Sequence, residues 1–178
     1  MADYAQAIRL DPHQTFALNN IGYAHLNAGD LELAISYFNR AILIDPSNSL
    51  FYNNRGLAFH RGGDGARAMA DYNLAIQLDP LNALAFNNRG TLWIDFEELE
   101  LALEDFDAAI RLAPSRMLLH FNRGVTHNQL ERFDLAAVDF DRAIQVDPHN
   151  ADLYNWRSHA LFVLGDVAGA IADFEAAL

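Results

Sequence analysis

The residues best equipped for recognition chemistry are asparagines that return at a fixed step. Asn20, Asn54, Asn88 and Asn122 stand 34 residues apart, and Asn19, Asn53, Asn87 and Asn155 hold the position before. A carboxamide carries donors and an acceptor together, the set that a peptide backbone presents. A row of them on one side could hold an extended chain without demanding a particular sequence. A second series is charged: Arg55, Arg89, Arg123 and Arg157 keep the same step, as do Asp71, Asp105, Asp139 and Asp173. Where the arginine gives way to Ile21, the aspartate gives way to Tyr37. Pairing each arginine with the aspartate one step earlier fails twice, at Asp3 with Ile21 and at Tyr37 with Arg55. The expectation is four partly buried bridges, Arg55–Asp71, Arg89–Asp105, Arg123–Asp139 and Arg157–Asp173, structural and not catalytic. The alternative is exposed pairs worth roughly 0–1 kcal/mol.

Other chemistry has little to stand on. There is no cysteine, hence no thiol or disulfide chemistry. The seven histidines show neither HExxH nor a paired ligand spacing, and His25 and His127 fall at core-stripe positions, so no metal is expected. No P-loop, GxSxG or nucleotide-binding glycine motif is present; Gly62-Gly63-Asp64-Gly65 reads as a turn. An enzyme is not expected, nor a cofactor. All 12 basic side chains are arginine, set against 24 acids for a net charge of -12. Such a surface repels phosphate backbones and favours a neutral or basic polypeptide. The acidic run Asp95, Glu97, Glu98, Glu100, Glu104, Asp105 and Asp107 reads as a solvated face, with a basic partner or loose Ca²⁺ as the alternative.

Elements that could position these residues follow from the same period. Gly22, Gly56, Gly90, Gly124 and Ser158 keep the step, and so do Pro12, Pro46, Pro80, Pro114 and Pro148. A fixed period of this size means a stacked array. With the proline numbered 32, Phe86, Gly90 and Trp93 occupy positions 4, 8 and 11, one face of a helix. Ala102, Phe106 and Ala109 at 20, 24 and 27 form the face of a second helix, echoed by Ala34/Phe38/Ala41, Ala68/Tyr72/Ala75, Ala136/Phe140/Ala143 and Ala170/Phe174/Ala177. Small residues at 8, 20 and 27 let two helices approach; the aromatic at 24 fills the space between. Asn27-Ala28-Gly29-Asp30, Gly62-Gly63-Asp64 and Gly165-Asp166 join the two helices, glycine ending one and aspartate capping the next. Glu97-Glu98 and Glu131-Arg132 lack the glycine, and tighter or more helical turns are expected there. Asp-Pro, or Ala113-Pro114 once, ends each second helix, and Asn48, Asn82 and Asn150 can cap the following one. The chain divides into residues 1–14 (the second helix of a partial repeat), full repeats at 15–48, 49–82, 83–116 and 117–150, and 151–178, a fifth repeat ending in its second helix.

The pattern large–small–large at 4, 8 and 11, then alanine, aromatic, alanine and proline at 20, 24, 27 and 32, resembles the tetratricopeptide repeat (TPR) family over the whole chain. The resemblance implies an all-α fold, a right-handed α-solenoid of stacked antiparallel helix hairpins with a concave groove. It also implies a non-enzymatic scaffold that binds an extended or helical peptide segment. TPR proteins resembling the peptide-binding arm of O-linked glycosyltransferases use an asparagine ladder for that purpose. The other well-known mode of the family clamps a terminal carboxylate with lysine and arginine. It is not expected here, because lysine is absent and Arg61 is the one cation on the relevant face. Alternative roles are an arm of a larger enzyme or regulator, and an array that assembles with itself.

At about 100° per residue, positions 2, 6, 9 and 13 of each first helix point away from the core stripe. A solvent face should be charged; this one is aliphatic and amide-rich, which suggests contact. The expected peptide-binding residues are Asn20, Tyr23, Leu50, Asn53, Asn54, Leu57, Leu84, Asn87, Asn88, Thr91, Leu118, Asn122, Val125, Trp156 and His159. Alternatively the next repeat covers part of this face and the asparagines bond to neighbouring helices. Trp156 takes the ladder position in the last repeat, beside an apolar strip of Phe162 and Val163. It reads either as a binding hot spot or as the seat of a further repeat. Uncapped ends predict self-association. No run of 18 apolar residues and no signal peptide is visible, so no membrane span and a cytoplasmic location are expected.

Overall fold

The structure, a computed structural model, describes the backbone from Pro12 to Leu178 and the side chains from Gln14. Among these residues it is all α-helical: α1 Pro12–Ala28, α2 Leu31–Ile44, α3 Ser49–Arg61, α4 Gly65–Leu78, α5 Ala83–Asp95, α6 Leu99–Leu112, α7 Met117–Gln129, α8 Phe133–Val146, α9 Ala151–Val163 and α10 Val167–Ala176. Odd and even helices are the first and second helices of successive repeats. The expected helix over Met1–Leu10 lies outside the described residues. Pro12 opens α1, where its missing N–H is not needed; Pro46, Pro80, Pro114 and Pro148 stand in the connections after α2, α4, α6 and α8.

The helices gather into two compact units, Met1–Leu92 and Trp93–Leu178. In the first, α1 packs on α2, α3 on α4, and α2 on the following α3. Leu26, Ala34, Phe38 and Ala58 form one layer of its core, and Phe59, Ala68, Tyr72 and Leu92 the next. In the second, α7 pairs with α8 and α9 with α10, while α6 and α8 pack on the first helix that follows each. Ala136, Phe140 and Ala160 fill the layer between. At the ring position of the stripe Phe38, Tyr72, Phe106 and Phe140 have no exposed surface, whereas Phe174 is half exposed. Position 8 must be glycine where it meets such a ring. A Cβ on Gly56 would lie 2.8 Å from Tyr72, and one on Gly124 2.9 Å from Phe140.

All five hairpin turns close alike. The second turn residue donates to the carbonyl five residues back at 2.9 Å: Asp30 to His25, Asp64 to Phe59, Glu98 to Trp93, Arg132 to His127 and Asp166 to Leu161. That closure requires a left-handed residue just before the donor. Gly29, Gly63 and Gly165 supply it at φ 85, 77 and 86. Glu97 and Glu131 adopt it too, at φ 62 and 57. These turns are therefore neither tighter nor more helical, as the missing glycines had suggested. Packing on both sides fixes the turn, and the glutamates take a conformation that costs an L-residue about 1 kcal/mol. Asn48, Asn82 and Asn150 cap α3, α5 and α9 through their side-chain oxygens, accepting from Leu50, Ala85 and Asp152 N–H at 3.2 Å each. Among the described residues no helix is long and apolar enough to cross a membrane.

Candidate functional site: the outward face of the first helices

The first helices hold two side-chain systems that the sequence separates poorly. One is a directional chain of amides in the first unit. Asn87 Nδ2 donates to Asn88 Oδ1 (3.3 Å), Asn88 to Asn53 (2.9 Å), Asn53 to Asn54 (3.1 Å), Asn54 to Asn19 (2.8 Å) and Asn19 to Asn20 (3.4 Å). Each link between repeats joins position 6 of one to position 5 of the repeat before. Asn19, Asn53, Asn54 and Asn87 are only 2–6% exposed. This corrects the expected ladder: Asn53, Asn54 and Asn87 are turned inward, where a buried amide must be paired, and neighbouring repeats pair them. Asn20 at the end of the chain is exposed, and Asn88 and Asn122 are half-buried.

In the second unit the same two positions are aromatic. Phe121 at position 5 meets Trp156 at position 6, edge to face at 6.2 Å, and both rings lie against Phe140. Trp156 is thus half-buried packing that replaces an amide pair with an aromatic one. The residues left facing outward are uncharged along most of the face. Phe16, Tyr23 and Leu118 are close to half exposed at 48%, 45% and 48%. Leu50, Leu57, Leu84, Thr91 and Val125 are intermediate, and His159 is exposed with its ring edge-on to Phe133. Thr91 is less available than its position suggested, because its hydroxyl donates to the Asn87 carbonyl at 3.0 Å. Arg61 donates to the Leu26 carbonyl at 3.2 Å and is tied to the neighbouring helix.

The arginines form the second system. Arg55 Nε and Nη2 donate to the two carboxylate oxygens of Asp71 at 2.7 Å each. Arg123 does the same to Asp139 at 2.9 and 2.6 Å, and Arg157 to Asp173 at 2.8 and 2.6 Å. The aspartates are buried and the arginines about a fifth exposed. The Asp hydrogen bond, outweighing burial, holds each of these three guanidiniums above its usual pKa. Arg89 belongs to the first unit and Asp105 to the second, so that pair remains a proposal. Sequence reasoning missed a third partner. Nη1 of Arg55, Arg89, Arg123 and Arg157 donates to Asn39, Asn73, Asp107 and Asp141 at 2.7, 2.7, 2.6 and 2.8 Å. These residues stand at position 25 of the preceding repeat, so Arg55, Arg123 and Arg157 each clamp their own hairpin and the one before, and Arg89 holds the one before. A search for matching charge does not find them, because asparagine and aspartate serve alike.

Repeat four adds two imidazoles. His120 Nε2 donates to the Pro114 carbonyl at 2.8 Å, the bond that Tyr52 and Tyr154 make to Pro46 and Pro148. Its Nδ1 lies 3.7 Å from Asp139, and His127 Nε2 lies 3.9 Å from the other oxygen of that carboxylate. Burial holds His127 below its usual pKa, against the opposing pull of Asp139. Such groups fix a hairpin; nothing in their arrangement sets a nucleophile beside a base. Within the acidic run, Asp105 is buried, Asp107 is bound to Arg123, and Glu97, Glu98, Glu100 and Glu104 are exposed.

Comparison with known proteins agrees with this architecture. A family model described as tetratricopeptide repeat matches residues 2–49 and 22–83, and a second so described matches 118–150. No curated protein matches by sequence. Among solved structures, PilF of Pseudomonas aeruginosa is similar at 20% identity and TM-score 0.87, over 93% of this chain and 75% of that one. MamA of Desulfovibrio magneticus is similar at 19% identity and TM-score 0.78, over 92% and 93%. YrrB, a TPR protein with an unusual peptide-binding site, is similar at 20% identity and TM-score 0.72, over 98% and 90%.

Proposed function

The chain belongs to the tetratricopeptide repeat family, whose members are in general protein–protein interaction scaffolds, and from that premise we propose that the outward face of its first helices binds a peptide segment of another protein. One observation carries the reading: large apolar residues stand exposed among the polar ones on the first helices of each unit, Phe16 and Tyr23 in the first and Leu118 in the second, on a chain with net charge -12. Repeated apolar surface outside the core marks an interaction site. The partner is neutral to basic, since the acidic field repels acidic chains. The likeness to YrrB, with its peptide-binding site, supports the reading. The role is binding and not catalysis. Main-chain recognition by the asparagines rests on Asn20, exposed at the end of the amide row, because Asn19, Asn53, Asn54 and Asn87 are paired inward and Asn88 both accepts from Asn87 and donates to Asn53.

The test is affinity capture with the wild-type chain and with Phe16→Asp, Tyr23→Asp and Leu118→Asp, followed by affinity measurement on the captured partner. Each variant should keep its helical circular dichroism and lose most of its binding. Retained affinity in all three would overturn the reading. Self-association is a second reading, favoured by Val167, Ile171 and Phe174 of α10, each about half exposed. Light scattering across a concentration series, with Ile171→Asp as the control, tests it.

A further inference from the structure

Where α7 and α9 lie side by side, their first turns line a half-open pocket of about 160 Å³. Met117, Leu118 and Phe121 of α7 and Leu153 of α9 form apolar walls, while Asn150 and Asp152 stand at its polar edge. The corresponding place in the first unit is bridged. Asn82, the counterpart of Asn150, donates from Nδ2 to Ser49 Oγ at 3.1 Å. Met117 stands where Ser49 does, and a thioether offers no comparable acceptor. Asn150 Nδ2 turns instead toward Asp147, at 3.5 Å. Loss of this one bridge, together with the exchange of asparagine for Phe121, leaves the α7–α9 place open and apolar.

We propose that this pocket selects, within the peptide bound to the face, an apolar side chain of phenylalanine size with a basic residue next to it. The inference rests on the peptide-binding reading above and adds the identity of two ligand residues. Size decides the first. A cavity of about 150 Å³ lined by aliphatic and aromatic groups admits benzene, and this pocket is of that volume with the same kind of lining. Charge decides the second. Asp152 is exposed at the edge, and its carboxylate has no ion partner among the described residues, whereas Asp107, Asp139, Asp141 and Asp173 are each held by an arginine. An arginine or lysine beside the inserted ring can reach Asp152; a glutamate there would be repelled.

The experiment is an NMR titration of the ¹⁵N-labelled chain with three capped dipeptides: acetyl-Phe-Arg-amide, acetyl-Phe-Glu-amide and acetyl-Gly-Arg-amide. Saturable shifts are expected at Met117, Leu118, Phe121, Asp152 and Leu153 with the first. The second should bind about fivefold more weakly, and the third should leave the pocket residues unmoved. Met117→Ser removes one apolar wall and offers Asn150 the hydroxyl that Asn82 finds in Ser49, and it should abolish the shifts. Asp152→Asn should erase the preference for arginine over glutamate while keeping the shifts. Equal response to the glycine dipeptide, or a Met117→Ser spectrum that responds like wild type, would overturn the proposal. If the pocket stays silent while Tyr23→Asp, outside the pocket, still loses its captured partner, the pocket assignment fails and the wider reading of the face stands.

Discussion

Removing the Asp139 carboxylate tests what the arginine clamps do. The side chain is 2% exposed and accepts from both Nε and Nη2 of Arg123. Asp139→Ala deletes two charge-assisted bonds and leaves a guanidinium that is itself only 24% exposed. Breaking a buried pair costs about 3–5 kcal/mol. The lower end applies, because Arg123 keeps Asp107 at 2.6 Å and some contact with water. With an m-value of about 2 kcal/mol/M, a loss of about 3 kcal/mol moves the urea midpoint down by roughly 1.5 M. Repeat one shows how the site can be apolar: Ile21 and Tyr37 replace the pair, and Tyr37 stacks on His25 at 5.5 Å between centroids. Repeat four has His127 at the same position as His25. The double variant Arg123→Ile/Asp139→Tyr should therefore pack its new ring on His127 and stay within about 1 kcal/mol of wild type. Asp107, 49% exposed, then returns to solvent. Urea unfolding followed by circular dichroism at pH 7.5, with hydrogen exchange over α7 and α8, measures both. A single variant costing under about 1 kcal/mol, or a double variant as damaging as the single, would refute the clamp.

Three further outcomes are expected. Glu131→Gly should raise stability by about 1 kcal/mol, since φ 57 strains an L-residue and not glycine; an unchanged or lower urea midpoint counts against the strain. Asn54→Ala should cost about 2 kcal/mol by orphaning the buried amides of Asn53 and Asn19, whereas Asn20→Ala should cost under about 0.5 kcal/mol; equal costs would deny the amide chain. The folded state disfavours the His127 imidazolium, so below pH about 6.5 the unfolded chain binds the extra proton and stability falls as pH falls. His127→Phe should flatten that part of a pH series of urea midpoints, and parallel profiles would assign the acid sensitivity elsewhere.

The hairpins were legible because the constraints on them are steric and repeat with the helix period. A ring at Phe140 needs a missing Cβ at Gly124, and both residues can be read from spacing alone. The Arg–Asp bridges were legible because both residue types change together at Ile21 and Tyr37. The third arm was not, since Asn39, Asn73, Asp107 and Asp141 differ in charge while offering the same acceptor oxygen. A trace existed even so: Ala5 holds that position before Ile21, where no arginine needs it. The asparagine ladder misled because helical geometry gives a direction of projection but not the depth of the neighbouring helix. Asn54 projects from the expected face and is still covered. Glu97 and Glu131 misled because residue preference is local and turn geometry here is set by the packed helices.

The position 5–6 contact also bears on how such a chain can grow by duplication. Asn53 with Asn88, and Phe121 with Trp156, are two edge types that do not interchange. A copied segment can be spliced in without loss only where its leading residue matches the trailing residue it meets. Asparagine set against Phe121 would strand an amide on a ring, and Trp156 set against an asparagine would bury an unpaired carboxamide. Recombination among the repeats is thereby restricted to like edges, and the order of the repeats is kept by contacts between neighbouring first helices.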